Sequence, residues 1–143
     1  MTDISSFMTA DHKSCDNSFV EFENAIAEAN WPELSISWNL FAKQLAHHFQ
    51  MEETVLFPEF ESATGMTQGP TAVMKAEHEQ MRGLIAEIET AIEDKDADQC
   101  QGVADTLMIM IQQHNMKEEQ MLYPMADQHV DSNQVIASMK SIF

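Results

Sequence analysis

Four histidines and two glutamates recur in this chain at one fixed offset. Asp11-His12 and His48-Phe49-Gln50-Met51-Glu52 return 66 residues later as Glu77-His78 and His114-Asn115-Met116-Lys117-Glu118. The match continues past them, since Glu53, Leu56, Phe57 and Pro58 reappear as Glu119, Leu122, Tyr123 and Pro124. Imidazole nitrogens and carboxylate oxygens are donors for transition-metal ions. A doubled half-site therefore predicts one pseudosymmetric centre that holds two of them. The candidate ligands are His12, His48, Glu52, His78, His114 and Glu118.

The donor count narrows the metal. Four imidazoles and two bridging carboxylates give each ion two nitrogens and two oxygens, and a solvent-derived oxo or hydroxo bridge completes five-coordination. An open position then stays on each ion, which suits iron or manganese better than closed tetrahedral zinc. Two iron ions are the first expectation, with manganese and zinc as alternatives. Sequence leaves open whether another side chain, such as Tyr123, fills one of these positions.

Helices must position these groups. Met8, His12, Cys15, Phe19, Phe22 and Ile26 mark one face of a first helix. Leu34, Trp38, Phe41, Leu45, His48, Glu52 and Val55 mark a second. Met74, His78, Met81, Ile85, Ile88 and Ile92 mark a third, and Ala104, Leu107, Ile111, His114, Glu118, Met121 and Met125 a fourth. A short tail helix begins at the N-cap candidate Ser132 and includes Val135, Ile136 and Met139. In an antiparallel hairpin two residues lie level when the turn falls midway between them. Asn30 lies midway between His12 and His48, Gly65 between Glu52 and His78, and Asp96 between His78 and His114. All three are residue types expected at helix ends. The fold class predicted is all-α: an up-down-up-down four-helix bundle with an internal two-fold repeat and a short C-terminal helix.

On such stripes Glu52 and Glu118 sit among apolar neighbours. An unpaired carboxylate is costly there, and the basic residue nearest in sequence, Lys117, lies on another face, so metal is the better compensation. Glu53 and Glu119 are rotated off the stripe and read as partners of the ligands or of neighbouring helices. His47 is rotated by about 100° from His48, which gives it a surface or supporting role. His129 reads as a helix-end residue.

The 143 residues suit one domain, 1–143, with its core at about 8–128. Asp plus Glu number 24 against 7 Lys plus Arg, and the net charge of -17 excludes nucleic acid and anionic membrane surfaces as partners. Without a signal peptide or a membrane-spanning run, the chain reads as soluble and cytoplasmic. Cys15 and Cys100 form no CxxC pair and are expected as reduced core residues. The methionines are chiefly core filling.

The doubled His-x-x-x-Glu-Glu-x-x-Leu-[Phe/Tyr]-Pro resembles the hemerythrin-like, or HHE cation-binding, family of helical bundles over residues 8 to 128. Ferritin-like diiron proteins use Glu-x-x-His and more carboxylates, so the pattern departs from theirs. The resemblance implies a non-heme diiron centre with Glu52 and Glu118 bridging. Oxygen-carrying hemerythrins add a histidine one turn before that of the third helix, where this chain has Met74, with Met8 at the equivalent place in the first helix. They also separate the last His and carboxylate by five positions, here four. Both departures make the two metal environments nearly alike, which resembles the diiron domain of repair-of-iron-centres proteins. Those proteins often carry a cysteine-bearing N-terminal domain that this sequence lacks.

Three functions follow as expectations. The first is binding or reduction of a small ligand (oxygen, nitric oxide or peroxide) in oxidative or nitrosative stress, with an electron-donor protein as partner; whether this amounts to an enzyme stays open. The second is an iron reservoir or donor that serves an acceptor protein in repair of iron centres. The third is a metal-stabilised structural bundle.

Overall fold

The computed structural model describes residues 2–142, and among them are five helices and no strand. Helix α1 is Ile4–Ala27. Helix α2 runs over residues 31–64 as an α-helical stretch Trp31–Met51, a π-helical turn Glu52–Leu56 and a second α-helical stretch Phe57–Thr64. Helix α3 is Pro70–Glu93. Helix α4 repeats the build of α2 over residues 97–129, as Ala97–Lys117, a π-helical turn Glu118–Leu122 and Tyr123–His129. The tail helix α5 is Ser132–Lys140. The first four form the up-down-up-down bundle expected from sequence. No described helix is long and apolar enough to cross a membrane.

The turns fall where the midpoints put them. Asn30 caps α2 by accepting from the Glu33 amide, and Asp96 caps α4 by accepting from the Gln99 amide. Gly65 ends α2 in the left-handed conformation at φ 73°, a region open to glycine without a Cβ clash. Ala29 and Lys95, which correspond in the repeat, also take positive φ, at 51° and 52°. Each costs about 1 kcal/mol and is held by backbone bonds from the next amide, Asn30 to Ala25 O and Asp96 to Ala91 O.

Two apolar clusters fill the bundle, one on each side of the buried histidines and glutamates. The larger contains Phe19, Phe22, Trp38 and Phe41, with ring centroids 4.9 Å apart in the Phe19/Phe41 and Phe22/Trp38 pairs. Each such ring contributes about 1.5–3 kcal/mol by burial. Cys15 and Cys100 lie in this cluster as free thiols. The smaller cluster gathers Met8, Leu56, Phe57, Met74, Leu122 and Tyr123, with Val135, Ile136 and Met139 of α5 laid over it.

The π turns correct two of the expected stripes. From sequence, Val55, Met121 and Met125 continue the inner faces. Instead Leu56, Phe57, Leu122 and Tyr123 are fully buried, Val55 and Met125 are half-buried, and Met121 is 59% exposed. A π turn holds one residue more than an α turn, so the inward face shifts by one position beyond Glu52 and beyond Glu118. Its signature is the amide of Phe57 donating to Glu52 O, and that of Tyr123 to Glu118 O. Pro58 and Pro124 supply a physical reason: each lacks the amide that would close the α turn and crowds the carbonyl four residues back. One cap also moves. Asp131, not Ser132, caps α5 by accepting from the Gln134 amide, while the Ser132 hydroxyl donates to Asp127.

Candidate metal centre

All six sequence-predicted residues are buried and face one another across the bundle. His12, His48, Glu52 and Glu118 each bring a ligand atom within 4.8 Å of the others, and so do Glu52, His78, His114 and Glu118. The two glutamates belong to both groups, the arrangement that bridging needs. His12 comes from α1, His48 and Glu52 from α2, His78 from α3, His114 and Glu118 from α4.

Every imidazole is held from behind by a carboxylate of another helix. His12 Nδ1 lies 2.7 Å from Glu119 and His48 Nδ1 2.7 Å from Asp11. In the second copy His78 Nδ1 lies 2.7 Å from Glu53 and His114 Nδ1 2.8 Å from Glu77. An ionised carboxylate only accepts, so each Nδ1–H donates and, in the neutral ring, each Nε2 turns a bare lone pair to the centre. Glu53 and Glu119 thus take the supporting role expected of them. The role of Asp11 and Glu77 was visible in sequence only as an acid preceding a histidine twice. His47 lies off the centre, with Nε2 2.9 Å from Ile142 O, and His129 is bonded to Met125 O at the end of α4.

The interior atoms fit a cation. Glu52 Oε1, Glu118 Oε2, His78 Nε2 and His114 Nε2 are buried without a hydrogen-bond partner. His78 Nε2 and Glu52 Oε1 are 3.1 Å apart, yet they are not directed to share a proton. Each unpartnered group costs about 1–3 kcal/mol, and a shared cation answers several at once. Without one, protons carry the compensating charge. Burial pulls the His48 imidazole down, but the charge of Glu52 and its bonds to Asp11 and Glu52 reverse this and hold it well above 6.5. Burial likewise raises Glu52, and His48 with its other partners brings it well below 4.5.

Tyr123 enters the centre through the π turn. Its hydroxyl is 2.7 Å from Glu52 Oε2, 3.0 Å from Glu118 Oε1 and 3.1 Å from His12 Nε2. Burial, followed by the charges of Glu118 and Glu52, holds this phenol well above 10.0, so it is a neutral donor in the absence of a cation. Its counterpart Phe57 lies against His78 with ring centroids 5.8 Å apart and offers no oxygen. The two environments expected to be nearly alike are therefore unlike.

A helical bundle with carboxylate-backed histidines around two shared glutamates defines a metal-cation-binding class. Residues 3–126 match the model of the hemerythrin HHE cation-binding domain, and the chain belongs to that family. It is 30% identical over 137 residues to an uncharacterised hemerythrin-like protein of Schizosaccharomyces pombe, a match that covers 94% of this chain and 64% of the relative. The chain thus spans just under two thirds of that relative's length. No solved structure matches it.

Proposed function

We propose that the chain is a non-heme diiron protein that binds or reduces oxygen, nitric oxide or peroxide, acting in oxidative or nitrosative stress. The carrying observation is the convergence of four carboxylate-backed Nε2 atoms on two glutamates common to both half-sites. His12 and His48 would hold one ion, His78 and His114 the other, with Glu52 and Glu118 between them. Nitrogen and oxygen donors without a thiolate favour iron over a closed zinc site. When bound, the pair of ions supplies redox electrons and exchangeable positions for the small ligand. The protein's own part is to fix each imidazole by its Nδ1 bond and to keep the site dry between two apolar clusters.

The test is anaerobic loading of the full chain with ferrous ion, followed by metal analysis and nitric oxide titration. About two irons per chain and a stable nitrosyl signal are expected. One ion or none would sink the dinuclear reading, and reversible oxygen uptake over many cycles would instead make the protein a carrier.

An iron-donor role is a second reading, favoured by Asp11 and Glu119. Their side chains are 31% and 36% exposed while touching His48 and His12, so carboxylate oxygens run from the surface to the ligands. Transfer of iron to an apo acceptor faster than spontaneous release would support it.

A further inference from the structure

We propose that the Tyr123 hydroxyl oxygen is a ligand of the ion held by His12 and His48, which leaves exchangeable positions only on the ion held by His78 and His114. The proposal rests on the diiron reading and assigns different work to its two halves.

Spacing carries the argument. Donors about 2.0–2.2 Å from one ion stand about 3 Å from each other when their bonds are near right angles. His12 Nε2 is 3.1 Å from His48 Nε2 and 3.1 Å from Glu118 Oε1, as edges of one coordination shell should be. The Tyr123 oxygen is 2.7 Å from Glu52 Oε2, 3.0 Å from Glu118 Oε1, 3.1 Å from His12 Nε2 and 3.5 Å from His48 Nε2. It therefore stands as a further vertex of the same shell. One O–H has a single proton and donates to one acceptor at a time, whereas an oxygen bound to the same ion as these four atoms is adjacent to all of them.

The second copy supplies the contrast. Among the described residues, the four unpartnered buried side-chain atoms belong to its group or to the glutamates it shares: His78 Nε2, His114 Nε2, Glu52 Oε1 and Glu118 Oε2. There Phe57 takes the place of the phenol, since its ring stands 5.8 Å from His78 much as Tyr123 stands 5.6 Å from His12. The same π turn thus brings an oxygen to one ion and a hydrocarbon edge to the other. The step is a ligand exchange without redox change. The Tyr123 O–H bond breaks, its electron pair forms the bond to the ion, and the proton leaves to solvent with the displaced water.

Tyr123 is the only tyrosine in the sequence, so any tyrosinate signal identifies its source. The full chain is loaded with ferrous ion, oxidised in air, and examined by metal analysis, absorption and resonance Raman. Expected are about two irons, a visible phenolate-to-iron charge-transfer band and tyrosinate vibrations in resonance with it. Tyr123→Phe should keep about two irons and lose the band, and Phe57→Tyr should increase it about twofold. Nitric oxide titration of the diferrous protein should saturate at about one equivalent, rising to about two in Tyr123→Phe. Iron bound without tyrosinate vibrations, or a band that survives Tyr123→Phe, overturns the proposal and leaves the diiron reading intact. A chain that binds no iron overturns both. Should Tyr123→Phe fail to fold, the wild-type Raman spectrum decides alone.

Discussion

The half-site around His12 and His48 and the one around His78 and His114 descend from the same motif but sit in opposite electrostatic settings. In the second, the carboxylates behind the histidines are neutralised from outside: Arg82 holds Glu53 at 2.8 Å, and Lys117 pairs with Glu77. In the first, Asp11 and Glu119 pair with His48 and His12 but with no Arg or Lys among the described residues. The repeat places Met51 where the other copy has Lys117, and Asp16 where it has Arg82. The rings differ as well. His78 stacks on Phe49 at 3.9 Å, with the Arg82 guanidinium 5.3 Å from the centre of that ring, whereas the repeat has Asn115 in place of Phe49. The two copies keep the same inner histidines and glutamates and differ in what surrounds them. The first half-site gathers uncompensated negative charge and a phenol, and the second is closer to neutral and lined by hydrocarbon.

The most damaging way to probe this comparison is to remove a residue both halves share. Glu52→Gln or Glu118→Gln should reduce bound iron from about two ions to below about one, because a neutral amide bridges poorly and balances no cluster charge. His78→Ala should spare the first half-site and leave about one ion. Equal loss from His78→Ala and Glu52→Gln, read by metal analysis, would mean the halves cannot be filled independently.

Removing the supporting carboxylates should sharpen the difference. Each should weaken iron binding by about 10–100-fold, with Glu53→Gln nearer the upper end and Glu119→Gln nearer the lower. Loss of Glu53 leaves the Arg82 charge facing His78, whereas loss of Glu119 releases no cation. Competition with a chelator measures both, and the reverse order would break the electrostatic contrast.

Giving the second half the charge pattern of the first should have a smaller effect. Arg82→Ala and Lys117→Met each remove one positive charge and should stabilise the bound cations by on the order of 1 kcal/mol at low salt. Potentiometry should show the diiron couple moving to lower potential, since the oxidised centre gains most.

The smallest expected effect lies away from the ligands, where Cys15 in the first copy matches Met81 in the second. Burial, then the charges of Asp11 and Asp16, push the Cys15 thiol up to about 12 from 9.0. The folded chain keeps a proton that the unfolded chain releases, so stability should fall as pH rises from 9.0 toward about 12. Denaturant midpoints of Cys15→Ala across that range should fall less steeply than those of the wild type.

Sequence by itself determined the bundle, the level at which the four helices meet and the six inner residues that face one another. These follow from periods and midpoints: a ligand every fourth position on a helix, and turns halfway between the groups that must face each other, as at Asn30, Gly65 and Asp96. Such features are local, and the 66-residue repeat doubles the signal. The tertiary structure decided what happens beyond Glu52 and Glu118. A π turn adds one residue to the period, so extrapolating an α-helical stripe picks Met121 where the fold buries Tyr123. Pro58 and Pro124 marked the place, but a proline alone does not tell whether a helix kinks, ends or widens. The pairing of Asp11 with His48, and of Glu77 with His114, likewise depends on how neighbouring helices cross. The contrast between the half-sites lies in partners far apart in sequence, such as Glu53 with Arg82 and Glu77 with Lys117, and only the packing of four helices brings those charges together.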